Sequence, residues 1–164
     1  MKSNPKIYVL AGANGIGKTT VHPFFVPEGI TYINADDIAR QLRERLGEVN
    51  VQELANAQAL ERMNAFIAKH SNFAIETNLA DQDTWLFLKG LKGLGYTVHI
   101  NFFGVTNVEI CIHRVKNRVP QGGHFVHPDI VKMRYEAGLK LLKQHLSVPD
   151  LVSVQKNMAS GQKK

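Results

Sequence analysis

Cysteine is almost absent from this chain: its 164 residues contain one, Cys111. An internal disulfide is therefore excluded, which fits a reducing compartment. No run reaches the roughly 18 apolar residues that a membrane span requires. The first residues, Met1 to Pro5, carry no apolar signal region. No dense block of Lys and Arg marks a nucleic-acid surface, although the net charge is +6. Internal repeats and low-complexity linkers are missing too. These absences predict one cytoplasmic domain over 1–164, with no membrane role. A polar tail is expected to fray from about 156 to 164.

What is present is an ordinary globular composition, with 44% hydrophobic and 21% charged residues, so the chain can bury a core. One stretch stands out: Gly12-Ala13-Asn14-Gly15-Ile16-Gly17-Lys18-Thr19, followed by Thr20. It has the G-x-x-x-x-G-K-[ST] spacing of a phosphate-binding loop. Glycines let successive backbone N–H groups turn inward toward phosphate oxygens. A helix starting at Lys18 adds its positive dipole end. Lys18 is placed to reach the β- and γ-phosphates, and the Thr19 hydroxyl to hold Mg²⁺. The apolar run Lys6 to Ala11 before the loop reads as a buried parallel strand.

The rest of the chain alternates. A helix from Lys18 ends near Phe25 because of Pro23 and the Pro27-Glu28-Gly29 turn, with Phe24 and Phe25 as core candidates. Ile30 to Asn34 reads as a second strand that delivers Asp36 and Asp37 at its carboxyl end; either can also cap the helix that follows. That helix runs from Ile38 to Leu46, and a longer one from Val51 to Lys69 with Ala55, Ala59, Met63 and Ile67 inward. Phe73-Ala74-Ile75 is a third strand, ending at Glu76 and Thr77. A helix over 82–94 and a strand over 97–103 follow, with His99 a packed strand residue. Cys111 falls on the apolar side of a helix over 107–119, on which Arg114 and Arg118 share one face. The segment from Pro120 to Pro128 holds Gly122 and Gly123. With the two arginines it reads either as a mobile lid over phosphates, about 114–128, or as a plain surface loop. His124 and His127 lie three apart, but no third ligand is close in sequence. A final helix over 129–146 has Ile130, Met133, Ala137, Leu141 and Leu142 inward, with Arg134 near its start. An edge strand over 151–154 closes the pattern.

Strands alternating with helices imply an α/β fold: a three-layer P-loop NTPase with a mostly parallel five-stranded sheet and a lid. The loop, Asp36 and Glu76 then gather at one edge of the sheet, where ligands of such sheets bind. This arrangement serves phosphoryl transfer, which is mostly positioning and charge neutralisation. In it Asp36 takes the proton of an acceptor hydroxyl, and arginines neutralise the transferring group.

The ordered set Gly12 to Thr20, Ile33-Asn34-Ala35-Asp36, Ile75-Glu76-Thr77, and Arg118 with Gly122-Gly123-His124 resembles the zeta toxin family of small kinases. The resemblance implies a fold similar to nucleoside and shikimate kinases, with strand order 2-3-1-4-5. It implies ATP (or GTP) with Mg²⁺ and a sugar-nucleotide acceptor, UDP-N-acetylglucosamine, as the small hydroxyl-bearing partner. It also implies Asp36 as general base, Glu76 and Thr77 facing the acceptor, and Arg118 as lid arginine, with Arg114 and Arg134 as further candidates. An antitoxin is a partner by resemblance only. The chain is short for a toxin of this kind. Two alternatives stay open: a polynucleotide 5′-kinase, which lacks its basic stripe here, and a nucleotide-binding switch without catalysis.

Overall fold

A computed structural model of the chain describes residues 4–47 and 50–156. The apolar run Lys6–Ala11 forms β1, and the loop after it leads into α1, Lys18–Phe25. Then come β2 (Tyr32–Ile33), α2 (Ala35–Leu46) and α3 (Val51–Ala68). β3 (Phe73–Thr77), α4 (Gln82–Gly93) and β4 (Thr97–Gly104) follow. The chain closes with α5 (Glu109–Arg118), a 3₁₀ turn at Val119–Gln121, α6 (Pro128–Gln144) and β5 (Leu151–Lys156). The five strands lie in the order β2-β3-β1-β4-β5, and every pairing is parallel. The sheet is thus wholly rather than mostly parallel.

Alternation along β1 divides the core. Ile7, Val9 and Ala11 face a cluster with Ile38, Val51, Ala55, Trp85 and Leu88, from α2, α3 and α4. Leu10 faces the other side, with Ile16, Cys111 and Val115. Burial of both faces explains why the strands read as continuous apolar runs. Cys111 is fully buried core, and burial raises its thiol pKa. His99 is a packed strand residue as expected, its ring edge-on to Tyr8.

Several expectations need correction. Phe24 is 84% exposed; only Phe25 packs inward, edge-on to Phe103. In α6 the buried positions are Val131, Gly138, Leu141 and Leu142, with Tyr135 packed beside them, so Ile130 and Met133 face out. Lys156 belongs to β5 rather than to a frayed tail; the rest of that expected tail lies outside the described residues. Among the described residues no helix is long and apolar enough to cross a membrane.

Candidate active site

The loop between β1 and α1 is shaped by what surrounds it. Gly15 has φ 78°, and a Cβ there would sit 2.4 Å from the carbonyl oxygen of Cys111. A side chain would therefore push the loop away from α5. Gly17, at φ 98°, is the N-cap of α1. Lys18 follows and is 5% exposed; its Nζ donates to the carbonyls of Gly12 at 2.6 Å and Ala13 at 3.0 Å. It also lies 3.5 Å from Asn78 Oδ1 and 3.8 Å from Glu76 Oε1. Burial lowers the Lys18 pKa, and the carboxylates of Glu76 and Asp36 oppose that shift.

Glu76 is brought there by register. β3 pairs with β1 so that Glu76 lies opposite Leu10 and Thr77 opposite Ala11, just before the loop. Glu76 Oε2 accepts from the Thr19 hydroxyl at 3.0 Å, from Asn34 Nδ2 at 3.0 Å and from the Tyr32 hydroxyl. Burial, then the Glu76 carboxylate, raises the Tyr32 phenol pKa. The Tyr32 ring also stacks on His22 at 4.3 Å, and His22 bonds to the carbonyl of Thr19. Thr77 turns its hydroxyl to the backbone N–H of Leu79, at 3.1 Å.

The helix cap falls on neither aspartate. Asn34 is the N-cap of α2, its Oδ1 accepting from the Asp36 N–H at 2.9 Å. Asp37 pairs with Arg40 at 3.1 Å. The Asp36 carboxylate makes no ion pair within 4.0 Å among the described residues and lines the cleft.

That cleft, about 840 Å³, is lined by the loop, Asn34, Asp36, Glu76 and Thr77, and by Arg114, Arg118 and Arg134 from α5 and α6. Arg134 Nη1 donates to Asn14 Oδ1 at 3.0 Å, and Arg114 Nη1 lies 3.5 Å from the carbonyl of Ile16. Both arginines are thereby tied to the loop. Arg118 differs: its Nε is buried without a hydrogen-bond partner among the described residues. That atom has no exposed surface, while Arg118 as a residue lines the cleft.

The segment after Arg118 folds back on it. Gly122, at φ 82°, donates to Val119, and Gly123 donates to the Arg118 carbonyl at 2.9 Å. A Cβ on Gly123 would stand 2.6 Å from Arg118 Cγ. His124 and Val126 then line the cleft, and Val126 is packed into the core. The two glycines therefore serve a tight return and a close approach, with the segment clasped to α5. His127 caps α6 by accepting from the Asp129 N–H at 3.3 Å. Among the described residues no group of three or more His, Cys, Asp and Glu is arranged to hold a metal ion. The Thr19 hydroxyl and Glu76 carboxylate are hard oxygen donors that suit Mg²⁺, which commonly takes one or two carboxylates beside substrate phosphates.

Every loop residue, Asp36, Glu76, Thr77 and the three arginines thus reach one place, except that Gly12, Ala13 and Ile16 support the loop from behind. Sequence reasoning missed Tyr32, Asn34, Asn78, Gln52 and Asn56. Asn34 carried a usable signal, an N-cap residue at a strand end. The others depend on strand register and helix packing, which spacing does not show.

A family model described as zeta toxin matches residues 1–159. An uncharacterized protein of Haemophilus influenzae is 35% identical over 133 residues, covering 79% of this chain and 92% of that protein. A proposed kinase of Chloroflexus aurantiacus superposes with a TM-score of 0.67 at 17% identity, covering 99% of this chain and 93% of its own. A structure from the PezAT chromosomal toxin-antitoxin system of Streptococcus pneumoniae gives 0.69 at 19% identity, covering 94% and 70%. At these identities the two solved structures establish the fold.

Proposed function

The chain belongs to the zeta toxin family, and from that premise we propose that it is a Mg²⁺-dependent kinase. It transfers the γ-phosphoryl of ATP (or GTP) to a hydroxyl of a small acceptor, a sugar nucleotide such as UDP-N-acetylglucosamine or a similar metabolite. One observation carries this reading: a single cleft holds the phosphate loop, Asp36 and Arg118.

The loop N–H groups and Lys18 take the β- and γ-phosphates. Lys18 exchanges its bonds to Gly12 and Ala13 for phosphate oxygens as nucleotide enters. The Thr19 hydroxyl and the Glu76 carboxylate would hold Mg²⁺, which would supply charge neutralisation at the phosphates. Asp36 accepts the proton of the acceptor hydroxyl as that oxygen bonds to the γ-phosphorus. The bond from the γ-phosphorus to the bridging oxygen breaks, and the nucleoside diphosphate leaves with that electron pair. Arg118 meets the charge on the transferring group. Arg114 and Arg134 brace the loop. Glu76 and Thr77 border the acceptor side. An antitoxin is a candidate partner, given the toxin-antitoxin system among the structural relatives. The lone, buried cysteine fits a cytoplasmic setting.

The test is transfer of label from γ-labelled ATP to UDP-N-acetylglucosamine and other small hydroxyl compounds, against buffer alone. Labelled acceptor is expected only with Mg²⁺ present. Mg·ATP binding with no labelled product from any acceptor would replace the kinase with a nucleotide-binding switch.

A further inference from the structure

Asn34 follows β2 directly, and it is almost wholly buried, 6% exposed. β2 runs parallel to β3 with Ile33 opposite Ile75, so the next step of that register sets Asn34 beside Glu76. Side chains alternate along a strand, so Tyr32 and Asn34 share the face on which Glu76 lies. All three meet: the Tyr32 hydroxyl and Asn34 Nδ2, the latter at 3.0 Å, donate to Glu76 Oε2. The Thr19 hydroxyl donates to the same oxygen at 3.0 Å. Three donors on one carboxylate oxygen fix its rotation, with Oε1 set 3.8 Å from Lys18 Nζ.

The other end of the Asn34 amide is engaged as well. Its Oδ1 accepts from the Asp36 N–H at 2.9 Å and so caps α2. That N–H lies in the first turn, where no intrahelical carbonyl is available to it. It settles which way round the amide lies: a donor must meet the oxygen, so the nitrogen faces the carboxylate. As helix caps, Asn, Asp and Ser are about equal. They are not equal here. Asp has no hydrogen to give and would set a second negative charge beside Glu76, and the Ser hydroxyl ends one atom short of that carboxylate. The donor end of the amide is what singles out Asn.

We propose that Asn34 is a positioning residue that couples the Glu76 carboxylate to the start of the helix carrying Asp36. One buried amide then sets the spacing between the carboxylate that would hold Mg²⁺ and the carboxylate that takes the acceptor's proton. The roles of Glu76 and Asp36 rest on the kinase reading; the coupling itself does not.

The first test needs neither metal nor nucleotide: amide hydrogen exchange of the Asp36 N–H, read by NMR on the full chain. Glu76→Ala removes the acceptor that holds Asn34 Nδ2. Exchange at Asp36 is expected to speed up about tenfold, as for one lost hydrogen bond to a charged group. The Leu42 N–H, farther along α2, should keep its rate. If Leu42 loosens too, Glu76→Gln replaces the variant, with a rise of about threefold expected as a charge-assisted bond becomes a neutral one. Wild-type exchange at Asp36 in both Glu76 variants would overturn the coupling. The second test is turnover with the acceptor found by label transfer. Asn34→Ser keeps a cap and should lower kcat about tenfold or more with the KM for ATP nearly kept, the range for groups that orient metal ligands. In a Glu76→Ala background the same change should cost little more. Wild-type kcat in Asn34→Ser would reduce Asn34 to a helix cap and overturn its positioning role. Faster Asp36 exchange in Glu76→Ala, with no label transfer by the wild-type chain, would overturn the kinase reading and leave the coupling standing.

Discussion

The Thr19 hydroxyl donates to Glu76 Oε2 across 3.0 Å, joining the start of α1 to the end of β3. The contact follows from β3 lying beside β1 with Glu76 opposite Leu10. It places a carboxylate beside the hydroxyl expected to hold Mg²⁺. Glu76→Gln keeps the shape and removes the charge. The Mg²⁺ concentration for half-maximal rate should rise roughly ten- to hundredfold, the range for groups that orient metal ligands. A Mg²⁺ titration of turnover checks this. An unchanged titration with a raised acceptor KM would assign Glu76 to the acceptor alone.

Gly123 is expected to aim Arg118. A methyl group at 123 would collide with Arg118 Cγ and with its carbonyl oxygen at 2.8 Å. Loss of an arginine on the transferring group costs about 10³–10⁵ in rate. Gly123→Ala should lower the rate at least tenfold, with nucleotide affinity nearly kept, because misplacing a group by about 1 Å costs on the order of 10². Added to Arg118→Ala, it should cost little more. Independent, additive losses measured in that cycle would show that Gly123 acts elsewhere.

Lys18→Ala should abolish turnover and weaken nucleotide binding, since its ammonium is the buried positive charge at the loop. Isothermal titration with Mg·ATP reads this directly. Unchanged affinity and rate would remove the loop from the mechanism.

Asp150 ties the approach to β5 onto β4. Its carboxylate accepts from Lys92 Nζ at 2.8 Å and from the Val98 N–H at 2.8 Å. These bonds, the Lys92 one first, hold its pKa below the ordinary 3.8. A depressed carboxylate pKa contributes stability that is complete above the unfolded value and is lost as pH falls through the folded one. Asp150→Asn should therefore lower Tm at pH 7, by an amount worth about 1 kcal/mol or less for so exposed a pair. The gap to wild type should shrink as pH drops below about 4. Thermal melts across pH check this, and a gap that stays constant to acid would contradict it.

The phosphate loop was legible in sequence because its residues are contiguous and β1 before it is buried on both faces. Strand order was legible only through family resemblance. The start of α2 was misread because Asp36 and Asp37 both suit a cap. Asn34 took that role from an extended backbone, φ −127°, two residues earlier. In α6 Leu141 and Leu142 face inward as expected, but the earlier turns differ: Val131 and Gly138 are buried in place of Ile130 and Ala137, Tyr135 packs inward while Met133 is exposed, and Gly138 lies close against the Asn78 carbonyl. Such close approaches between distant segments leave no periodic trace. The same holds for Gly123 on Arg118, where two glycines read equally well as a hinge.

Asp36 carries the central claim. It stands in the first turn of α2, spared the capping role by Asn34, and it faces the cleft. Asp36→Asn should keep the fold and Mg·ATP affinity, because the amide is nearly the same size. It cannot take the acceptor's proton, and a lost general base costs about 10²–10⁴ in rate. The decisive measurement is the acceptor-dependent rate of label transfer in Asp36→Asn beside its Mg·ATP affinity. The account predicts a rate about a hundredfold or more below wild type with affinity unchanged. A rate within about threefold of wild type, far short of a general-base loss, would contradict it.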